Sequence, residues 1–269
     1  MRKKILGLFL LLNIIFTYGE DYSKNPSKND YKAINLRVMS GMEDGNYIDT
    51  YFEMEFAGRY EFFDFYGYFD MMNILGDTES DFYNGDNFFT EITPRFSIDG
   101  ITGKDLSIGP IKEWYLTTFL RAGDNSYGIN DIGVGGLFHL GIGIGTDLEL
   151  PWFGKTALNL VALHKVEDYA STADGEWDGY SLMWSWMKPL YTFKNNSFIA
   201  YQGYLTYDFG SNKIASEDGR TNDSLQYYNG IYYHMDRIYM GYGIKYNNNF
   251  GYVEDSEGIE HYLDITYKF

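Results

Sequence analysis

Apolar and polar side chains alternate with a period of two residues along most of this chain, which limits what it can fold into. Phe63, Phe65 and Phe69 fall on one face of an extended segment, and Asp64 and Asp70 fall on the other. The same pattern recurs and predicts twelve strands, at residues 33–41, 47–58, 62–74, 87–98, 111–122, 137–150, 155–166, 177–190, 198–209, 225–234, 238–246 and 260–269. Most of them exceed the roughly 5–6 residues usual in soluble sheets and suit a tilted strand that crosses a bilayer, about 9–11 residues.

Two all-β architectures share this alternation, a soluble sandwich and a membrane barrel. A sandwich buries the apolar face, whereas a membrane barrel turns that face outward to lipid and lines its lumen with the polar face. The connectors favour the barrel, because alternate ones are mostly short, as at 59–61, 151–154 and 235–237, with 99–110 as the long exception. Short periplasmic turns and longer outer loops are typical of outer-membrane barrels. We therefore predict an all-β, twelve-stranded antiparallel transmembrane β-barrel of the outer-membrane type, with a narrow polar lumen. An even number of strands places both termini on the periplasmic side.

The N-terminus has the layout of a secretory signal peptide. Three basic residues precede a largely apolar run over 5–16, and small residues stand at the −3 and −1 positions before Glu20. The alternative is a membrane-anchoring helix, but the apolar run is shorter than the about 20 residues that a helix needs to span a bilayer. We predict that residues 1–19 are cleaved and that residues 20–269 form one transmembrane barrel domain outside the cytoplasm.

Charge and cysteine content exclude several classes of function. The chain has 21 basic and 38 acidic residues, a net charge of −17, and no cysteine. Without cysteine there is no disulfide scaffold, thiolate zinc site, iron–sulfur cluster or cysteine nucleophile. An acidic balance of this size argues against a nucleic-acid partner, which would require a basic face. We expect no cofactor and no metal site.

The acidity is concentrated in one set of connectors. Loss of the signal peptide would deepen the net charge to −20. The outer connectors hold 20 acidic residues against two basic ones, Lys213 and Arg220, when they are taken as 42–49, 75–87, 123–137, 167–176, 210–224 and 247–260. The sequence thus predicts an acidic outer rim. Solvated loops and divalent-cation binding both stay open for this rim, although the loops lack the twelve-residue calcium pattern.

Apolar and aromatic residues mark the predicted periplasmic end of the barrel. Leu263, Ile265 and Phe269 share one face of the last strand. This ending resembles the C-terminal signal by which outer-membrane barrels are recognised for assembly, so we expect the barrel-assembly machinery as a partner. Trp184 and Trp186 share a face near the end of the eighth strand and fit an aromatic girdle, with ordinary core packing as the alternative.

Several stretches of sequence, in this order, resemble a known family. The most specific of them runs from Pro94 to Trp114. The matching stretches are residues 53–60 (EMEFAGRY), 63–70 (FDFYGYFD), 94–107 (PRFSIDGITGKDLS), 109–115 (GPIKEWY), 143–147 (GIGTD), 151–155 (PWFGK), 177–180 (WDGY), 188–189 (KP), 197–204 (SFIAYQGY), 229–232 (NGIY) and 266–269 (TYKF). From about residue 31 to the C-terminus the chain resembles the Tsx family of nucleoside-specific outer-membrane channels, including its OmpK-like members.

This resemblance implies a monomeric barrel with a narrow lumen in the outer membrane of a diderm bacterium. In the family, nucleosides and deoxynucleosides diffuse through the lumen and are held between aromatic side chains and ionisable groups that touch the sugar. Some relatives also act as phage or colicin receptors through their outer loops. The resemblance does not assign the nucleoside contacts residue by residue, so strand facing must select them.

Side chains in the inward phase of the predicted strands are the candidates for solute contact. Rings can stack on any base, carboxylates accept hydrogen bonds from ribose hydroxyls, and Arg and Lys donate to base carbonyls. The candidates are Glu53, Glu55, Asp64, Tyr66, Tyr68, Asp70, Arg95, Glu113, Tyr115, Arg121, Asp147, Gln202, Tyr204, Tyr228 and Lys245, with Tyr232 beside them. The alternative for each residue is that it only pairs with its neighbours. Asp64, Tyr66, Tyr68 and Asp70 are the first choice, because they share one face of one strand.

A glycine-rich stretch precedes and enters the sixth strand. Gly133, Gly135, Gly141, Gly143 and Gly145 do not match a phosphate-binding motif, and no helix follows them. We expect the inward ones to leave space for an infolded loop or for solute.

Two rival functions are weighed against a channel. A barrel hydrolase would need a histidine site, and the chain has only His139, His164, His234 and His261. We predict that His164 and His261 face outward, that His234 lies beside a periplasmic turn and that His139 faces inward without a suitable Ser or Asp beside it. An enzyme is therefore not expected. A receptor or adhesin, whose acidic outer loops bind a partner while the pore is incidental, is the alternative function.

Overall fold

Twelve antiparallel strands close into a barrel in the computed structural model, which describes residues 25–43, 45–75, 88–123, 137–168, 175–212, 221–252, 254 and 257–269. The strands are β1 (Tyr31–Glu43), β2 (Asn46–Tyr60), β3 (Phe63–Met71), β4 (Phe88–Ser97), β5 (Ile111–Gly123), β6 (Leu137–Leu150), β7 (Gly154–Asp168), β8 (Glu176–Thr192), β9 (Phe198–Phe209), β10 (Asp223–His234), β11 (Ile238–Asn248) and β12 (Gly258–Lys268). Each strand pairs with its neighbours in sequence, and β1 pairs with β12. The predicted fold class and all twelve strands are confirmed.

The pairing of β1 with β12 shows how the apolar faces are directed. Val38 lies opposite Ile265 and Met39 lies opposite Asp264 in the register that closes the barrel. Leu263 and Ile265 are about half exposed on the outer surface, whereas Tyr262 and Asp264 are buried inside. Because the side-chain period of a strand is two, this register directs every second residue toward the lumen. The predicted outward apolar face and inward polar face of the last strand are therefore confirmed.

The long periplasmic connector contains a short helix that the alternation does not predict. This helix, α1, spans Ile98–Thr102. Ser97 caps its N-terminus by accepting a hydrogen bond from the Gly100 N–H at 2.8 Å, and Gly103 ends it with a φ of 66°. A serine followed six residues later by glycine is a capping signal that could have identified the helix. Among the residues described, no helix is long and apolar enough to cross a membrane.

A buried carboxylate organises the rest of this connector. Asp99 accepts hydrogen bonds from the backbone N–H groups of Leu106 at 2.9 Å and Trp114 at 3.1 Å. Burial raises the pKa of the Asp99 carboxyl even though these two donors act in the opposite direction. The Trp114 indole N–H also donates to the Leu106 carbonyl at 3.1 Å. The connector is therefore folded back against the first residues of β5.

Three successive inward positions in the middle of β6 are glycine, and the two neighbouring strands approach each other there. A Cβ atom on Gly143 would lie 1.9 Å from the Leu160 carbonyl oxygen, and one on Gly145 would lie 2.4 Å from the Thr117 hydroxyl. Although β5 and β7 are not paired, their Cα atoms come within 8 Å of each other across β6. The space beside Gly141, Gly143 and Gly145 is thus filled by β5 and β7, and the expectation that it admits a loop or solute is wrong.

The tryptophan pair has the outward phase of β8, where neighbouring rings cover Trp186 so that it is only 3% exposed. Trp186 is paired with Gly203 and covers it, and its ring lies 5.5 Å from that of Phe153 and 6.2 Å from that of Tyr201. Trp184 contacts Phe153 at 4.8 Å. Both tryptophans are in the middle of β8 rather than near its end, because this strand continues to Thr192. Their role in a girdle stays a prediction.

Some predictions fall on parts of the chain that the description does not cover. The signal peptide, most of the outer connectors, Gly133 and Gly135 lie outside the described residues. Of the acidic residues counted in the outer rim that are described, two lie inside the barrel. Asp168 and Glu260 are buried in β7 and β12 and form ion pairs inside the barrel. These two carboxylates belong to the interior, so the predicted rim loses them.

Candidate functional site

The barrel encloses a central cavity of about 830 Å³. Most of its wall comes from β1–β4 and β9–β12, and twelve of the fifteen candidate residues line it. The twelve are Glu53, Glu55, Asp64, Tyr66, Tyr68, Asp70, Arg95, Arg121, Gln202, Tyr204, Tyr228 and Lys245. Glu113, Tyr115 and Asp147 are absent from the lining. Strand phase therefore selected the inward face correctly but could not show which inward residues reach the cavity.

Tyrosine rings stand on opposite walls of this cavity. Tyr66 and Tyr68 are adjacent inward residues of β3, with ring centroids 6.4 Å apart, and Tyr66 is 44% exposed to the cavity. Tyr204 of β9 and Tyr228 of β10 stack with centroids 5.5 Å apart at an angle of 18°. β3 and β9 are six strands apart in a ring of twelve, which places these two pairs of rings across the lumen from each other. A flat solute that enters the cavity meets aromatic faces on two sides.

Charged groups between the tyrosines are partly paired with one another. The Glu53 carboxylate forms an ion pair with Arg37 at 2.8 Å, and Lys245 contacts Glu260 at 3.0 Å. The Tyr66 hydroxyl donates to Glu55 at 3.0 Å, which fixes the position of its ring. These contacts agree with the alternative that lumen residues satisfy one another. They also hold the rings and carboxylates in place for a solute.

Asp70 differs from the other carboxylates of this wall. It lies directly opposite Glu53 in the β2–β3 register, so two like charges face each other across the strands. Its Oδ1 atom is buried and has no hydrogen-bond partner among the described residues, and its side chain borders the cavity. A buried oxygen that accepts no hydrogen bond costs free energy. A hydroxyl-bearing solute would supply the missing donor.

The periplasmic end of the lumen holds a closed network that includes the three candidates outside the lining. Arg95 bridges Asp64 and Asp147, with a distance of 2.7 Å to each. Its guanidinium lies 4.1 Å from the centre of the Tyr115 ring, whose hydroxyl donates to Asp147 at 2.8 Å. Glu113 receives both ends of the Arg59 guanidinium, at 2.6 and 2.9 Å. Glu113, Tyr115 and Asp147 therefore fit the alternative that an inward residue only pairs with its neighbours. Asp64 is also paired, with Arg95.

One ion pair crosses the interior at the level of the outer half. Arg121 of β5 contacts Glu91 of β4 at 2.6 Å and Asp208 of β9 at 2.5 Å. Four steps around the sheet separate β5 from β9. The Arg121–Asp208 pair is therefore a bridge across the barrel rather than a contact between neighbouring strands.

Several residues of the site were not among the candidates. Arg37, Tyr51, Glu91, Asp208 and Glu260 all line the cavity. Each lies in the inward phase of its strand, so the alternation that selected the candidates could have found them. What the sequence does not contain is the pairing across the lumen, because that depends on which strands face each other.

The histidines agree with the predicted facing, with one correction. His164 packs edge-on against Trp177 at 5.2 Å, and His261 contacts the Tyr242 hydroxyl at 2.5 Å, both on the outer surface. His139 faces inward, but an acid does lie beside it, since its Nε2 atom is 3.5 Å from Asp168. Both side chains are fully buried. The prediction that no suitable Asp lies beside His139 is wrong. β7 continues two residues beyond the predicted end at 166, and its last residue is Asp168.

Comparisons with known proteins agree with the barrel and its lumen. The family described as nucleoside-specific channel-forming protein, Tsx, matches residues 26–269. Outer membrane protein OmpK of Vibrio parahaemolyticus serotype O3:K6 (strain RIMD 2210633) is 38% identical, with 100% of both chains covered. Nucleoside-specific channel-forming protein Tsx of Escherichia coli O157:H7 is 31% identical over 84% of this chain and 80% of the relative. The NanC porin structure matches with a TM-score of 0.51 at 9% identity, covering 88% of this chain and 100% of the porin, which supports the fold alone.

Proposed function

The chain belongs to the Tsx family of nucleoside-specific channel-forming proteins, and we propose that its lumen passes nucleosides by holding them between the two tyrosine walls. It is an outer-membrane channel, as the family, the OmpK relative and the porin fold together show. The narrow polar lumen is the passage. Which solute crosses it, and which residues touch that solute, are the proposal.

The observation that carries this proposal is the pair of facing tyrosine walls beside an unsatisfied carboxylate. A base stacked on an aromatic ring gains about 1–3 kcal/mol. A site of millimolar affinity corresponds to about −4 kcal/mol, so one stack and one or two hydrogen bonds to the sugar suffice. Tyr66 and Tyr204 provide rings, and the Asp70 carboxylate, which borders the cavity, provides an acceptor for a ribose hydroxyl once it turns toward the lumen. A site of this strength binds solute and still releases it, as a channel requires.

The structure narrows the first-choice residues. Asp64 was grouped with Tyr66, Tyr68 and Asp70 because all four share one face of β3. Its carboxylate is held by Arg95 at 2.7 Å, which leaves it less available to a solute than Asp70. We therefore assign sugar contact to Asp70 and ring contact to Tyr66 and Tyr68, with Asp64 as a support for the wall.

Liposome swelling tests the proposal directly. Vesicles that hold the purified protein are compared in adenosine, thymidine and a sugar of matched size. Faster entry of the two nucleosides than of the sugar is expected, and equal rates for all three would indicate a general pore. A Tyr66→Ala/Asp70→Asn variant is expected to conduct ions but to lose the preference for nucleosides. A preference that survives in this variant would refute the residue assignment.

Other parts of the proposal concern the membrane and the assembly of the barrel. We propose that the half-exposed outer residues contact outer-membrane lipid. The strand that ends at Phe269 is proposed to be recognised by the barrel-assembly machinery. The working unit is proposed to be a monomer. Residues 1–19 are proposed to direct export and to be removed. The family is one of channels, and the proposal includes no enzymatic activity. Nothing in the described residues or in the comparisons favours the alternative of a receptor or adhesin.

A further inference from the structure

One side of the barrel interior is a packed apolar core. Phe119, Val161 and Leu163 form a buried cluster between β5 and β7, and Met183 of β8 packs against it. Of these four residues only Met183 lines the cavity. Beside Met183 the interior is therefore filled by side chains of β5 and β7, while other residues of these strands, such as Arg121 and Asn159, line the cavity.

The glycine face of β6 is what allows this core to form. Because Gly141 and Gly143 present no side chain to the interior, Phe119 and Val161 meet over β6, each with an atom 3.0 Å from where a Cβ of Gly141 would lie. Cα atoms of β5 and β7 come within 8 Å of each other here, whereas two strand spacings of about 4.8 Å would keep them about 9.6 Å apart in a flat sheet. A cavity that could have spanned twelve strands is displaced toward β1–β4 and β9–β12.

The bridge between Arg121 and Asp208 stands at the border between core and cavity. Both side chains line the cavity, yet their exposed fractions are only 9% and 5%. Burying such a pair has a desolvation cost that apolar residues of similar size would avoid. A gain in stability is therefore a weak explanation for the bridge. Its position across the lumen, between strands that do not pair, points to a role in the passage.

We propose that the Arg121–Asp208 bridge, seated against the apolar core, fixes the width of the passage and so the largest solute that can cross. The proposal rests on the channel function given above. Solute size in this protein is then limited by side chains of the strands. Glu91 orients Arg121 from the other side through its 2.6 Å contact, so the guanidinium is held at two points.

Single-channel conductance and vesicle swelling with sugars of increasing size test the bridge. Arg121→Ala/Asp208→Ala removes both members of the bridge together, and Glu91, which loses Arg121, keeps the hydrogen bond from the Tyr68 hydroxyl at 2.9 Å. We expect conductance to rise about twofold and larger sugars to enter, since pore diameter limits both. Lys112→Ala/Glu149→Ala is the matched control, because it removes another ion pair, 3.7 Å long and outside the cavity lining, and it should leave both readouts unchanged.

The outcomes separate this inference from the channel function. Wild-type protein that admits no nucleoside would refute the channel proposal. Nucleoside entry through wild-type protein, together with unchanged conductance and size limit in a folded Arg121→Ala/Asp208→Ala variant, would refute the bridge proposal alone. Folding is monitored by the heat-dependent shift in gel mobility of barrels. Should the double variant fail to assemble, Asp208→Ala replaces it, because it removes the spanning side chain and leaves Arg121 paired with Glu91, and wild-type conductance there would equally refute the bridge.

Thiol labelling tests the closed core without any transport. The chain contains no cysteine, so one introduced thiol reports on one position. Met183→Cys is expected to react with a water-soluble thiol reagent that enters the lumen, whereas Val161→Cys should react at least about tenfold more slowly because it is buried behind the wall. Equal labelling rates at the two positions would contradict a closed core.

Discussion

In the middle of β5–β7 a small apolar cluster of Phe119, Val161 and Leu163 meets over the glycines of β6, whereas on β1–β4 and β9–β12 tyrosines and charged groups border the cavity. Val161 and Leu163 on the first side are fully buried, while Tyr66 on the second is 44% exposed. Both sides have the same strand pairing and the same period of two. What differs is the size of the residues at inward positions of one strand, β6.

This difference shows that the width of a barrel lumen is not set by strand number alone. Twelve strands can enclose a wider space than the one observed, but Gly141, Gly143 and Gly145 let neighbouring strands approach and fill it. The inner surface that stays open is the one that carries the rings and the carboxylates. Closed and open sides should therefore respond differently to the same kind of substitution.

The largest difference is expected for glycine-to-alanine changes on the two sides. In Gly143→Ala the new methyl group would lie 1.9 Å from the Leu160 carbonyl oxygen and 2.7 Å from the Val161 Cα, both backbone atoms that cannot move independently. We expect a loss of about 3 kcal/mol or more in the free energy of unfolding, or failure to assemble. Urea unfolding in lipid vesicles, followed by tryptophan fluorescence, measures it.

Gly41→Ala on the open side is the matched control. Its methyl group would meet the ring edge of Tyr262 at 2.9 Å, an atom of a side chain that borders the cavity and not of the backbone. A change within about 1 kcal/mol is expected. Equal losses for Gly143→Ala and Gly41→Ala would remove the distinction between a closed and an open side.

A somewhat smaller effect is expected from a cavity in the closed core. Leu163→Ala should lower the free energy of unfolding by about 2–3 kcal/mol, because it removes buried methyl groups that neighbours cannot replace. Conductance should not change, since Leu163 does not line the cavity. Leu263→Ala on the outer surface, where the leucine is 54% exposed, serves as the control and should cost less. A rise in conductance for Leu163→Ala would mean that the core is part of the passage.

On the open side the expected effect is on solute and not on stability. Tyr66→Ala should weaken nucleoside binding about tenfold, which corresponds to about 1.4 kcal/mol of lost stacking. Tyr66→Phe keeps the ring and loses only the hydrogen bond to Glu55, so its binding should stay within about twofold. Equilibrium binding of radiolabelled adenosine to the detergent-solubilised protein gives both values. Equal losses in the two variants would show that the hydroxyl, and not the ring, carries the contact.

The sequence predicts which side chains face the lumen on both sides of the barrel, because facing depends only on the two-residue period of a strand. Alternation places Tyr66 and Leu163 inside correctly, because side-chain period is a local property. It also gives the closed barrel, since the length of the strands and of their connectors reflects the membrane. The helix α1 was missed because its capping signal lies in a connector where no periodicity operates.

Contacts across the lumen are the part that the sequence could not supply. Arg121 and Asp208 are separated by four steps around the sheet, and their side chains meet at 2.5 Å only because the barrel closes and directs both into the lumen. The same holds for Glu113 and Tyr115, which have the facing of solute contacts but lie in a network with Arg59. The glycines of β6 were interpreted as open space, because the bend that fills this space is a property of three strands together.

The smallest effect is expected where an ion pair of the closed side is exposed. Lys112 Nζ lies 3.7 Å from Glu149 at the periplasmic end of β5 and β6, and the Glu149 side chain is 55% exposed. Water screens such a pair, so Lys112→Gln should change the free energy of unfolding by less than about 0.5 kcal/mol and less still at high salt. The neighbouring Glu113 shows why burial decides, because its pair with Arg59 is almost fully enclosed. A large loss in Lys112→Gln would mean that charge, and not packing over β6, holds the closed side together.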